Sequence, residues 1–351
     1  MPSLSHLSAI LKIALLLSVF YVSAIAGNPK IIYDTDNNPV SVPNKTQNIV
    51  TIGAVPVLSS FIFALGKGDA ITNALPGKFK NSLITSKLYD ALAPNASKTS
   101  TYLLEGMDSE VNVELLLKEN PQIVFTMDSI VSKTLRGKGL NVASLQWREE
   151  KDIKKIMLFL GELMGVKSKA VEYNRYVDQK LSYVQSIINK IPSKEKKKIL
   201  YFDYKTMTTP HLIVDWWIMK AGGISLSDST RKIEKFTFSA EQIIVMNPDI
   251  IVLSNPNDVD SLYKNTKFST LNAVKNRQVF VSPHGMHLWA YRTSEQPLMV
   301  LWAAKTFYPE YFNKLDIREE TKAFYEHFVK YKLSDQDLTD ILQPTPSGAI
   351  K

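Results

Sequence analysis

The sequence predicts an α/β protein built as two doubly wound α/β lobes joined by a single long helix, with a ligand cleft between the lobes. Three observations carry this. Buried-type strands alternate with helical segments, the pattern of largely parallel sheets covered on both faces. The chain repeats itself at an offset of 127 residues: Glu114-Leu-Leu-Leu-Lys-Glu-Asn-Pro121-Gln-Ile-Val-Phe125 and Glu241-Gln-Ile-Ile-Val-Met-Asn-Pro248-Asp-Ile-Ile-Val252 match as E-x5-N-P-[QD]-I-[VI]-[FV]. Between the two copies, Tyr173, Val177, Leu181, Val184, Ile188 and Ile191 recur at helical spacing.

The elements follow in order. Polar-apolar alternation from Ile31 to Val42, with Asp-Asn turns, predicts a small hairpin. Gln47 to Gly53 reads as a buried strand and Leu58 to Leu65 as the helix after it. Val111 to Lys118 is helical, and Ile123 to Thr126 and Val142 to Leu145 are short strands. Each copy of the repeat is a helix stopped by Asn-Pro and followed by a buried strand. An offset of 127 residues is too long for a solenoid and points to two similar lobes. Asp152 to Ile191 lacks proline, and from Lys167 onward it is roughly 37 Å of helix at 1.5 Å per residue. Pro192 to Lys198 is a basic linker. Strands at Ile199 to Phe202, Ile250 to Leu253 and Val279 to Val281 then alternate with helices at Ile213 to Ala221 and Ala240 to Met246. Thr293 with Gln296 resembles a capping box opening a helix from Ser294 to Phe307, with Trp302 on its core side. The divisions are a leader at 1–26, an N-terminal lobe at 27–150, the strut at 151–192 and a C-terminal lobe at 193–351.

The 351 residues are 45% hydrophobic and 22% charged, a balance that fills two cores and excludes wholesale disorder. There is no cysteine, which excludes disulfides, thiolate metal sites, cysteine nucleophiles and a lipid attached through cysteine. A net charge of +8 fits nucleic acid, a membrane surface or neither. Residues 1–26 address the compartment: Lys12 precedes an apolar run from Ile13 to Val22 that closes on Ala24-Ile25-Ala26, the layout of a secretory leader cut before Gly27. A retained anchor needs about 20 apolar residues, more than this run supplies. The expected mature protein is exported through a cleavable signal peptide, free in a Gram-negative periplasm, not a lipoprotein, and without a nucleic-acid partner.

Several chemistries have no residues to carry them. No Walker sequence or G-x-G-x-x-G follows a predicted strand, and no H-E-x-x-H, G-x-S-x-G or EF-hand loop occurs. His284 and His287 form the one close histidine pair, with no carboxylate or thiolate beside them to complete a metal site. Neither a cofactor nor enzyme activity is expected.

The order of elements resembles the class III substrate-binding proteins of ABC importers, the iron-siderophore, cobalamin and haem type. The resemblance covers about residues 45–312. Its carriers are Ile49-Val-Thr-Ile-Gly53, Phe63-Ala-Leu-Gly66, both copies of the repeat, the strut, Ala221-Gly222-Gly223, and Leu271 to Phe280. It implies a ligand held between the lobes, modest closure about a stiff strut, action as a monomer, and docking onto a permease dimer in the inner membrane through one acid per lobe, here Glu114 and Glu241. An acid in a helix's first turn also has a purely local role against the helix dipole.

Ligands of doubly wound sheets bind at the carboxyl ends of strands. The candidate residues are Val55, Pro56, Met127 and Asp128 in the first lobe, and Tyr204, His211, Asn255, His284, His287, Trp289, Tyr291 and Arg292 in the second. The last five fall within nine residues, before a helix N-terminus, where arginine and N–H groups suit an anion. Trp289 reads as a ligand contact ahead of packing under a loop, while for Tyr291, His284 and His287 the two roles stand level. Of Trp216 and Trp217, at most one faces the cleft. Arg292 is the one clear arginine there, while Arg136 and Arg148 lie away from the strand ends, which favours a small ligand of low charge. The Trp-Ala-Tyr-Arg-Thr-Ser-Glu-Gln stretch from Trp289 and the Phe324-Tyr-x-x-Phe328 tail are similar to the molybdate/tungstate-binding branch of the MolA type. That resemblance implies an oxyanion ligand, with a metal chelate (ferric siderophore, haem, cobalamin or nickel-histidine) as the alternative. An exported hydrolase is the competing class, and it lacks a nucleophile-base arrangement.

Overall fold

The structure, a computed structural model, describes residues 30–80, 82–96, 111–146, 150–227 and 232–345. The expected leader and Arg148 lie outside the described residues. Strands β1 (Ile31–Tyr33) and β2 (Pro39–Ser41) form the expected antiparallel hairpin. Asp34 fastens it to the first lobe: the buried carboxylate accepts from the main-chain N–H of Asp36, Asn38 and Ser144 and pairs with Arg136. Those donors satisfy a charge that would be costly to bury alone.

The first lobe contains β3 (Ile49–Ile52), α1 (Val55–Ala64), α2 (Leu83–Leu92), α3 (Val113–Glu119), β4 (Ile123–Thr126), α4 (Ser129–Gly137) and β5 (Val142–Ser144). Its sheet runs β3-β4-β5, all parallel, and every strand residue is buried. Two helices follow, α5 (Glu150–Leu163) and α6 (Lys167–Ile188). They pack on each other, and a Cβ at Gly161 would lie 2.5 Å from that of Ala170, so glycine permits their close approach. The strut itself is α6, 22 residues or about 33 Å long. Tyr173, Val177, Val184 and Ile188 of the predicted stripe are buried along it.

The second lobe contains β6 (Lys198–Phe202), β7 (Thr208–Thr209), α7 (Ile213–Lys220), β8 (Ile224–Ser225), β9 (Phe236–Thr237), α8 (Ala240–Met246), β10 (Ile250–Leu253), α9 (Val259–Lys264), α10 (Asn272–Lys275), β11 (Val279–Val281) and α11 (Gln296–Phe307). Its main sheet is parallel in the order β11-β10-β6-β8. Helix α11 starts two residues later than the sequence predicts. Thr293 does not cap it; its Oγ1 accepts from Glu295 N, and Pro297 occupies the first turn, where a missing N–H costs nothing. Trp302 is buried as expected.

The repeat is a structural unit. Helices α3 and α8 are both seven residues long, with Glu114 and Glu241 second in each. Both end on asparagine in the left-handed region, Asn120 at φ 45° and Asn247 at φ 44°, before the proline. Asparagine tolerates this conformation better than most residues. The next side chain then clamps the neighbouring strand: Gln122 Oε1 accepts from Gln47 N at 2.8 Å, and Asp249 Oδ2 from Lys198 N at 2.8 Å. Strands β4 and β10 thereby enter their sheets in equivalent registers, Ile123 opposite Ile49 and Ile250 opposite Ile199.

Alternation along these strands divides the interior. Ile49, Phe125, Tyr201 and Val252 belong to one core that runs through both lobes and the strut, while Val50, Val124, Leu200 and Ile251 face separate outer cores. The chain then returns. Helix α12 (Ile317–Phe324), a π-turn at Tyr325–Val329 and helix α13 (Asp335–Leu342) close the fold, the π-turn against α1 and α13 against α2. Lys87 and Asp337 pair at 2.6 Å across that contact.

Candidate functional site

The loop from Pro283 to Arg292, between β11 and α11, is held by main-chain hydrogen bonds, two of them within the loop and one to α13. Trp289 N donates to Pro283 O at 2.9 Å, Tyr291 N to Leu288 O at 3.0 Å, and His284 N to Ile341 O at 2.9 Å. Gln296 Nε2 donates to the carbonyls of Trp289 and Tyr291, tying the loop to the helix it precedes. The first lobe meets this loop directly. Thr85 Oγ1 donates to Gly285 O at 2.9 Å, and the Phe79 ring stands edge-on to His287 with centroids 5.7 Å apart.

A row of rings crosses from one lobe to the other. His287 lies 5.6 Å from Tyr291 and 6.0 Å from His284, and Tyr291 lies 4.8 Å from His211, which precedes α7. All four are half-buried. Burial pushes His284 down to about 4, and burial with the neighbouring His284 and His211 pushes His287 down to about 3. These two imidazoles are neutral at physiological pH, so each offers one N–H donor and one lone pair rather than a charge.

Arg292 is buried, and its Nη2 pairs with Glu234 Oε1 at 2.6 Å. Its Nε is buried without a hydrogen-bond partner among the described residues. Glu234 also accepts from Leu212 N at 3.0 Å and approaches His211 Nδ1 to 3.6 Å. Burial alone would raise Glu234, but His211 and Arg292 outweigh it and hold the carboxyl down at about 2. The one guanidinium of the cluster is thus already countered by a carboxylate.

The structure brings His211, His284, His287, Tyr291 and Arg292 together. The other candidates have engagements elsewhere. Val55 and Pro56 are buried in the first turn of α1. Met127 is half-buried, its carbonyl taken by Gln146. Asp128 caps α4, accepting from Ile130 N and Val131 N, and Asn255 caps its own turn at Asn257 N. Tyr204 packs on Phe202 and Phe268 of the outer core and donates to Ser261 O. Trp289 is fully buried with Nε1 2.7 Å from Glu295 Oε1, a core position rather than a cleft wall. Trp217 is likewise core and Trp216 half-buried. Glu114 and Glu241 are both exposed.

Sequence reasoning missed Phe79, Glu234 and Tyr201. Glu234, between Ile233 and Lys235, carries no spacing signal. Tyr201 sits inside β6 rather than after it, and its buried hydroxyl, without a hydrogen-bond partner among the described residues, lies near Tyr291 and Asp203. Apart from this cluster, a groove of about 980 Å³ runs between α6 and α12. Lys180 is paired there with Glu320, and His327 with Glu172. Among the described residues no group of three or more His, Asp or Glu is arranged to hold a metal ion directly.

The chain is similar to known proteins in sequence and in structure. The sequence profile described as "Periplasmic binding protein" matches residues 90–284. An uncharacterized ABC transporter substrate-binding lipoprotein of Bacillus subtilis, YvrC, is 22% identical over 264 residues, 72% of this chain and 77% of that protein. The molybdate-binding protein MolA of Haemophilus influenzae is 26% identical over 113 residues, 31% of this chain and 32% of its own. Among solved structures, a periplasmic solute binding protein of Veillonella parvula superposes with a TM-score of 0.76 at 25% identity, covering 90% of this chain and 97% of that one. Molybdate-bound MolA superposes at 0.73 with 19% identity, covering 87% and 99%.

One expectation is corrected by these findings. The sequence predicts a protein that is not a lipoprotein, and the Bacillus relative, which is one, overturns that expectation. The absence of cysteine speaks to one linkage chemistry, not to where proteins of this kind are held.

Proposed function

The chain belongs to the periplasmic binding protein family, the substrate-binding proteins of ABC importers, and on that premise we propose that its ligand is a small metal oxyanion of the molybdate or tungstate class. The observation that carries this is the donor set around Arg292: a buried guanidinium Nε without a partner among the described residues, next in the chain to Tyr291, whose ring lies against His211 and the neutral His287. A tetrahedral dianion has four acceptor oxygens, and neutral donors with one cation hold it without full charge neutralisation. Glu234 sharpens the choice. A ligand with many negative charges would meet a carboxylate and a single arginine, whereas a compact oxyanion competes with Glu234 for Arg292 alone.

In this reading the lobes, 27–150 and 193–351, close modestly about the strut, and the protein acts as a monomer. Glu114 and Glu241, equivalent by the repeat and both exposed, dock the loaded protein on the permease. No catalytic step is assigned to any residue.

A thermal-shift panel on the purified protein tests the ligand, using molybdate, tungstate, sulfate, nickel with histidine, a ferric siderophore and haem. Molybdate or tungstate at a hundred times its Kd raises stability by about 2.7 kcal/mol through mass action. A clear shift with nickel-histidine or another chelate, and none with either oxyanion, overturns the proposal in favour of the chelate.

A further inference from the structure

Glu295 is a fully buried carboxyl at the start of α11, and three donors converge on its Oε1. Met286 N lies at 3.2 Å, Trp289 Nε1 at 2.7 Å, and the Tyr325 hydroxyl completes the set. Two of these donors belong to the loop that carries His284, His287, Tyr291 and Arg292. The third belongs to the π-turn that packs on α1.

The preceding residue extends this connection to the rest of the molecule. Ser294 N donates to Ser60 Oγ at 3.0 Å and Ser294 Oγ to Ser60 O at 2.9 Å, both in α1 of the first lobe. Tyr173 of the strut donates its hydroxyl to Ser294 O at 2.6 Å. Glu295 therefore stands one residue from the point where both lobes and the strut are bonded together. The loop also makes room for it: a Cβ at Gly285 would lie 2.0 Å from Glu295 Oε1 and 2.4 Å from the Tyr325 hydroxyl.

We propose that Glu295 is a positioning residue: without touching ligand, its carboxyl fixes the loop from Pro283 to Arg292 against the first lobe and the strut, and so sets the spacing of the binding donors. This rests on the reading of that loop as the ligand site. A side chain that merely filled the core would not need an acceptor with three donors from two elements. Here two donors of the loop, Met286 N and Trp289 Nε1, point at one buried oxygen, and a buried N–H left unpaired drives local rearrangement.

The test uses the full chain with Glu295→Leu, which keeps volume and removes the acceptor, and Glu295→Gln, which keeps an acceptor oxygen. Molybdate is the probe, with nickel-histidine in parallel. Glu295→Leu is expected to weaken binding of whichever probe the wild type takes by tenfold or more, and Glu295→Gln to restore it to within threefold. The indole N–H resonance of Trp289, assigned by its loss in Trp289→Phe, moves in the Leu variant and stays close to wild type in the Gln variant. Amide exchange across 284–292 accelerates in the Leu variant.

If that variant does not fold, Trp289→Phe removes one donor at little change of volume, with a threefold to tenfold loss expected. Failure of the wild type to bind either probe refutes the ligand reading and leaves the indole and exchange measurements to decide the brace. Wild-type affinity and wild-type loop exchange in Glu295→Leu, or in Trp289→Phe if that variant must serve, overturn the proposal.

Discussion

Adding a single methyl group at Gly285 is the sharpest perturbation the structure offers. Its φ lies outside the left-handed region, so Gly285→Ala carries no backbone penalty, and the whole effect comes from space. The new Cβ would stand 2.0 Å from Glu295 Oε1, 2.4 Å from the Tyr325 hydroxyl and 2.9 Å from Trp289 Nε1, all groups fixed by one another. Overpacking of a tight interior costs about 1–3 kcal/mol. Displacing the carboxyl strands at least one buried donor at about 1–3 kcal/mol more. The sum, about 2–6 kcal/mol, corresponds to a fall of roughly 4–12 °C in Tm at about 2 °C per kcal/mol for a chain of this size. Gly53→Ala is the control: at φ +84° with nothing within 4 Å, it carries only the left-handed penalty of about 1–2 kcal/mol. Calorimetry on both variants decides the matter. A Gly285→Ala protein that melts within 2 °C of wild type, or above Gly53→Ala, would refute the packing described for this loop.

Other outcomes follow from the same geometry. Arg292→Ala is expected to reduce molybdate affinity by about 30-fold or more, the loss of a charge-assisted contact of about 2–3 kcal/mol, with the circular dichroism spectrum unchanged; calorimetric titration that finds wild-type affinity removes Arg292 from the site. Glu234 is held at about 2, below its ordinary 4.5, so its contribution to stability is present above pH 4.5 and is lost as pH falls toward 2. Urea midpoints of Glu234→Gln should therefore converge on wild type across that window, and parallel curves would contradict the pairing. Glu295 behaves oppositely: burial raises it to about 7, so its contribution is full below pH 4.5 and declines as pH rises to 7. Glu295→Gln should flatten that decline, read from the same urea midpoints. Glu114→Ala combined with Glu241→Ala should abolish uptake in cells while leaving ligand affinity and Tm unaltered, because both side chains are exposed; normal uptake excludes them from docking.

What the sequence disclosed was local, and what it concealed was tertiary. The Asn-Pro stops after α3 and α8 were readable because a short helix, a proline and a buried strand leave their signature in twelve consecutive residues. The strut was readable because its stripe from Tyr173 to Ile188 is periodic. Strands β7 and β9, two residues each, exist only because distant segments pair, and no spacing announces them. The site was harder for a different reason. A polar residue between a strand and a helix has the same signature whether it meets a ligand or caps the helix, and Asp128 and Asn255 cap. Aromatic residues build cleft walls and cores alike, so Trp289 could not be told from Tyr291 until the fold buried one and left the other beside His211. Glu234, which governs the charge of the cluster, reaches Arg292 from 58 residues away.

The return of the C-terminal helices to the first lobe has a consequence for the order in which the molecule can be completed. Helix α2 and the inner face of α1 are covered by the π-turn and α13, segments synthesised more than two hundred residues later. A chain growing from its N-terminus therefore emerges with its first lobe uncapped, Lys87 lacking Asp337 and Ser60 lacking Ser294. Helices synthesised late close the lobe that was begun first, so the first lobe cannot complete its native packing before they are made.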